Sequence, residues 1–228
     1  MNRQWIEAEL RRRADHFLSR RYLEADYYRV RRRLAVPLPV AGLPDVRYPL
    51  RDREAFYPWG IWLCWTLEER LYALGLAGEL LEDDACRDKV AAELTVVGRW
   101  TPIADRHGPY RELTDRPDLS SGHMGRLMAF AHNQWQWLGD EVRSSLADGM
   151  SRLVEDIRPL AADCYDRFDS PDAILADPKP HARLHNIPLI GTIGAALCAA
   201  AVDHDARGEL DGYVERVVRA MLTHREQD

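Results

Sequence analysis

The sequence has no apolar run of about 18 residues, so no membrane-spanning helix is expected. It also lacks an apolar stretch behind its start. Met1-Asn2-Arg3-Gln4-Trp5 runs straight into charged residues, which excludes a secretory signal. The chain as it stands therefore reads as cytoplasmic, with a secreted or periplasmic location left open for a trimmed form. Cysteine is scarce: Cys64, Cys86, Cys164 and Cys198 form no CxxC pair and read as buried free thiols. HExxH and zinc-like Cys/His spacings are absent, so no metal is expected. There is no GxGxxG, no Walker motif and no GxSxG, so neither a nucleotide cofactor nor a serine-hydrolase elbow is supported. No cofactor is expected at all. Lysine is nearly missing, at Lys89 and Lys179 among 31 basic residues. With 37 acidic residues the net charge is −6, which argues against a nucleic-acid binder.

The 228 residues that remain to be explained are 46% hydrophobic and 30% charged, an ordinary globular balance with room for a sizeable core. Residues 5–33 are charged and helix-friendly, with basic runs at Arg11-Arg12-Arg13 and Arg31-Arg32-Arg33 that read as solvated faces. Pro37, Pro39, Pro44 and Pro49 mark 35–55 as a linker, so 1–55 is expected to be a helical arm plus linker. From 56 onward the pattern is helical. Tyr57–Leu80 is apolar on nearly every face and is expected to be buried all round. Asp83 and Asp84 look like caps for an amphipathic helix over 85–100. After a loop over 101–117, Asp118 is placed to cap a helix reaching Leu138, and Gly139 separates it from an amphipathic helix over 141–164. A loop over 165–182 leads to an almost wholly apolar helix over 184–202. Its Gly191 and Gly194 would admit a close neighbour, and an amphipathic helix over 209–224 follows. A buried helix followed by an amphipathic one thus recurs three times, at a spacing of about 60 to 65 residues. The expected fold is all-α: antiparallel helical hairpins over 56–228 forming an incomplete α/α toroid, with no strand.

Three groups of residues could carry chemistry. On the 118–138 helix, His123, Arg126, Phe130, Asn133 or Gln134, and Trp137 form a second face beside the apolar one. Cations next to rings suit a negatively charged sugar, because guanidinium pairs with carboxylate and rings stack on pyranose faces. At the start of the 184–202 helix, His185 and Asn186 precede Pro188. Asn186 is a plausible cap, and its amide could also donate to a carboxylate at a helix N-terminus, where anions are favoured. Tyr57 and Trp59 head the cluster Tyr57, Trp59, Trp62 and Trp65, and could stack on sugars at the mouth of a groove.

Asp118-Leu-Ser-Ser-Gly-His-Met-Gly-Arg-Leu-Met-Ala-Phe-Ala-His-Asn-Gln-Trp-Gln-Trp-Leu-Gly-Asp140 resembles the toroid of heparinase II/III-like polysaccharide lyases, as does His185-Asn-Ile-Pro-Leu-Ile-Gly-Thr-Ile-Gly-Ala-Ala-Leu-Cys-Ala-Ala-Ala201. The resemblance covers about 57–224. It implies cleavage of a uronic-acid polysaccharide by β-elimination: a donor neutralises the uronate carboxylate, and a Tyr or His removes the C5 proton. Asn186 matches the carboxylate-neutralising position, and His123 and Arg126 match groove positions. Two departures stand out. Ile187 and Pro188 follow Asn186 where many members have a His, and the family's catalytic Tyr lies on a later helix, ahead of a β-sheet domain. The resemblance therefore implies an N-terminal piece or a shortened relative that is not a competent lyase alone. Its implied partners are an acidic polysaccharide and the missing β-sheet domain, with self-association open through unfinished toroid edges. The competing readings are a non-catalytic α/α-repeat domain binding a glycan or a protein, and a toroid glycosidase. The glycosidase would need two inward carboxylates, which these helices scarcely offer.

Overall fold

A computed structural model describes residues 3–27, 32–42, 49–50, 53–54, 59–100, 117, 119–180 and 184–225. Its class is all-α. Eight helices are described: α1 Arg3–Leu18, α2 Trp59–Leu80, α3 Asp84–Val97, α4 Leu119–Gln134, α5 Asp140–Tyr165, α6 Pro171–Leu175, α7 Asn186–Ala201 and α8 Arg207–Arg225. None is long and apolar enough to cross a membrane. All four cysteines are free and buried.

The N-terminal region departs from a helical arm and linker. α1 stops at Leu18, where the Ser19 hydroxyl donates to the His16 carbonyl at 2.8 Å. Over Leu23–Tyr27 the chain then alternates apolar and polar residues, a strand period that the arginines of 29–33 following it disguise. β1 Tyr22–Tyr27 pairs antiparallel with β2 Arg32–Pro37, Tyr22 opposite Pro37. A shorter pair, β3 Pro49–Leu50 and β4 Arg53–Glu54, lies where a linker was expected. Leu10, Ala14, Leu23 and Val40 join the same hydrophobic core as the helices that follow. The Val40 carbonyl also accepts from the Trp100 indole at 2.8 Å, so this region is packed onto the bundle through residue 40.

The remaining helices stack as hairpins. α2 and α3 run antiparallel, with Arg70 level with Glu93 and Gly78 level with Arg87. Asp83 caps α3, its carboxylate accepting from the Cys86 amide at 3.0 Å, as the sequence suggests. α2 and α4 run parallel: Trp65 meets His123, Tyr72 meets Phe130 and Gly75 meets Trp135. α4 and α7 are parallel too, Gly122 backing onto Ile190 and Gly125 onto Gly194. The amphipathic helices repeat this behind them. The Ser145 hydroxyl of α5 donates to the Thr95 carbonyl of α3, and Arg152 donates to the Gly98 carbonyl. α2, α4 and α7 therefore form one row of parallel helices, with α3 and α5 packed behind and α8 against α7.

Glycine sets the closest approach in the row. A Cβ on Gly194 would sit 2.6 Å from the Gly122 Cα, and one on Gly125 would sit 2.6 Å from the Gly194 carbonyl oxygen. Only a missing side chain permits that contact. The backbones then meet directly, and the Cys198 thiol donates to the Gly125 carbonyl at 3.4 Å. Burial of leucine-sized side chains contributes about 1.5–3 kcal/mol each, and α2 supplies Leu63, Leu67, Leu71 and Leu74 at essentially no exposure. One ion pair shares this interior. Arg70 and Glu93 are 1% and 2% exposed, with Arg70 Nη2 at 2.7 Å from the carboxylate. Arg70 Nη1 also donates to the Phe17 carbonyl at 2.5 Å, which ties α1 to α2 and α3.

Candidate functional site

α2 is not buried all round. Trp62, Trp65, Glu69, Tyr72 and Leu76 fall on one narrow stripe at helical spacing, and each keeps solvent exposure. On α4 the open stripe is Arg126, Phe130 and Asn133. On α7 it is Asn186, Ile190, Ile193 and Leu197. The three helices are parallel. Each one's open stripe lies to the same rotational side of its contact with the next, so the three stripes make one continuous face. Trp65 at 49%, Leu76 at 39%, Phe130 at 37% and Leu197 at 42% are its exposed large apolar side chains.

At the α2–α4 side of this face stands a polar cluster. Glu68 is buried one turn from Trp65. Its carboxylate accepts from Arg126 Nε at 2.7 Å and Nη2 at 2.8 Å, and lies 2.8 Å from His123 Nδ1. Burial pushes the Glu68 carboxyl up, but the hydrogen bonds from His123 and Arg126 outweigh it and hold it below the usual carboxylate range. An ionised carboxylate only accepts, so His123 Nδ1 must carry the proton. Arg126 Nη2, 3.3 Å from that same Nδ1, is then a close neighbour rather than a donor to it. The Tyr72 hydroxyl adjoins Glu68 and Arg126. Burial and the Glu68 charge push it up to about 12, so at neutral pH it is a donor and not a base. The His123 ring stacks on Trp65 at 5.3 Å, and Trp65 stacks on Trp62 at 5.2 Å. Three rings thus form a ladder beside the half-exposed Arg126 guanidinium.

The expected residues are only partly brought together. His123 and Arg126 share the cluster. Asn186 lies on the same open face about one turn nearer the helix N-termini, with no hydrogen bond to them. It is not the cap of α7. His185 is in extended backbone, and its Nδ1 accepts from the Ile187 amide at 3.3 Å, which makes Asn186 the first helical residue. Trp137 is elsewhere. α4 ends at Gln134, so the spacing from His123 through Phe130 does not continue. The Trp137 ring instead stacks on Trp135 at 5.6 Å, with the Arg87 guanidinium 6.0 Å away. Trp59 is the first residue of α2 and its side chain, like Tyr57 and Asp118, lies outside the described residues. Glu68 and Tyr72 were not singled out from sequence. The available signal was Glu68-Glu69-Arg70, three charges interrupting an otherwise apolar helix.

Among the described residues no group of His, Cys, Asp and Glu could hold a metal ion. No family model matches the chain, and neither a curated protein nor a solved structure matches it. The functional reading therefore rests on the geometry of this face.

Proposed function

We propose that the chain is an α/α-repeat domain of toroid type whose open face binds an acidic polysaccharide. The observation that supports this is the half-exposed Trp65, stacked between Trp62 and His123 so that its edge meets solvent, beside the Arg126 guanidinium. The exposed edge of a rigid ring presents apolar area at little entropic cost, and the Nη1 side of the guanidinium, which Glu68 does not occupy, can donate to a uronate carboxylate although the charge is largely offset. The test is calorimetric titration with uronate oligosaccharides (heparan-, alginate- and chondroitin-derived). At least one should bind, and Trp65→Ala and Arg126→Ala should each weaken it with the fold intact. Unchanged affinity in both variants removes the assignment of this face.

A second reading, uronate β-elimination as in the heparinase II/III-like lyases, is favoured by one observation: Asn186 and His123 border the same face. His123 Nε2 would take the C5 proton while the Asn186 amide met the carboxylate; the C4–O bond would then break to leave a C4–C5 double bond, and the departing oxygen would take a proton from water or from the imidazolium just formed. Arg126 is engaged by Glu68, so the uronate would find mainly a neutral amide, which stabilises a developing carbanion weakly. The expected result is binding without the ultraviolet absorbance of an unsaturated product. A product signal that His123→Ala abolishes would establish the lyase reading instead.

A further inference from the structure

The His123 ring has two different edges. Nδ1 is taken by Glu68 at 2.8 Å. Nε2 has no partner among the described residues, and the side chain, 10% exposed, keeps a small contact with solvent. The ring cannot turn over, because Trp65 stacks on one side of it and Glu68 holds its Nδ1 edge. Glu68 is itself fixed by the two-pronged Arg126 contact, so it does not follow the ring. In a neutral imidazole one nitrogen donates and the other accepts, and the partner of one decides the state of the other.

We infer that Glu68 is a positioning residue: it locks His123 in the Nδ1–H tautomer and so presents Nε2 as a fixed acceptor at the edge of the open face, suited to a sugar hydroxyl. This inference rests on the polysaccharide-binding reading for its ligand, but not for the tautomer. The arrangement gives the face a complementary set. The side of Arg126 that Glu68 leaves open donates, His123 Nε2 accepts, and the exposed Trp65 edge offers apolar area. A saccharide offers the matching set of carboxylate, hydroxyl and C–H surface. Without Glu68 the imidazole would be free to place its proton on Nε2, and the acceptor would become a second donor.

The experiment uses the full chain and two-bond nitrogen–proton NMR of the histidine rings at neutral pH, with His123→Gln for assignment. The free protein should show His123 protonated on Nδ1 and bare on Nε2. Glu68→Met removes the acceptor and should move the proton to Nε2, with affinity for a carboxyl-reduced, neutral oligosaccharide, which the freed Arg126 charge does not favour, falling about tenfold, the worth of one hydrogen bond to a positioned acceptor. Glu68→Gln leaves an acceptor oxygen in place and should restore part of both. A wild-type His123 protonated on Nε2 overturns the inference, and that spectrum decides even where a variant does not fold. A Glu68→Met variant with the tautomer moved and the affinity unchanged also overturns it. Failure of every oligosaccharide to bind the wild type sinks the polysaccharide reading alone, and leaves the tautomer to be judged by its own spectrum.

Discussion

Arg70→Met tests how the N-terminal region is attached to the bundle. The substitution keeps an unbranched side chain of useful length in a site where Arg70 is 1% exposed. What it removes is the partner of Glu93, 2% exposed, together with the donor to the Phe17 carbonyl. Among the described residues only Lys89 remains near, with its ammonium 3.8 Å from the Glu93 carboxylate and one-third exposed. A buried carboxylate stripped of its main partner costs about 3–5 kcal/mol. For a chain of this size each kcal/mol lowers the melting temperature by about 2–4 °C, so the expected fall is about 6–20 °C. Glu93→Leu alone should cost a similar amount, because it leaves the Arg70 guanidinium buried against one carbonyl. The double variant removes both charges and fills the space with apolar atoms, and should be more stable than either single variant. Thermal and urea unfolding followed by circular dichroism measure all four corners of the cycle. Losses that simply add, or an Arg70→Met variant that melts like the wild type, would refute the reasoning.

Gly194→Leu should force α4 and α7 apart against backbone that cannot yield, costing at least about 1–3 kcal/mol in urea unfolding; a variant as stable as wild type would show that the two helices are not in direct contact. Glu68 has a depressed folded value against an ordinary 4.5. Its contribution is therefore complete above the ordinary value and is lost as pH falls through the depressed one. Stability measured from about pH 6 down to about pH 3 should fall more steeply in wild type than in Glu68→Gln, and parallel curves would contradict the assignment.

The bundle was legible from sequence because its signals are local. The helices show as largely apolar stretches in 57–80 and 184–202 and as periodicity in 85–100, 141–164 and 209–224, although α2 keeps one open stripe, and Asp83 announces the start of α3 by capping it. The strand pair 22–27 and 32–37 was not legible, because only 23–27 alternates apolar and polar residues, and the arginines of 29–33 resemble a charged helix surface. In α7 the competition between His185 and Asn186 for the cap turns on backbone angles that composition does not carry. The site was half legible. His123, Arg126 and Phe130 are set by spacing within one helix, whereas Glu68 belongs with them only through a contact between helices 55 residues apart in sequence. Trp137 shows the opposite failure, since spacing was extended past the end of the helix that justified it.

The charge at the open face then decides what kind of binding to expect. Arg126 is half exposed, yet its Nε and Nη2 are spent on a buried carboxylate, so an approaching anion meets a guanidinium whose charge Glu68 largely offsets. The only other charged side chain on the three open stripes is Glu69, of the wrong sign. If the proposed acidic polysaccharide binds here, its affinity must therefore come mainly from the Trp65 edge and hydroxyl contacts. An exposed pair of charges contributes at most about 1 kcal/mol, so raising salt from about 0.05 to 0.5 M, which shrinks the screening length several-fold, should weaken binding by no more than about fivefold. Trp65→Ala should weaken it by about tenfold, because an aromatic contact is worth about 0.5–1.5 kcal/mol beyond its buried area. Titration of wild type and variant at both salt concentrations separates the two effects. A hundredfold loss with salt would mean that a set of cations beyond the three stripes holds the ligand, and would move the binding site off this face.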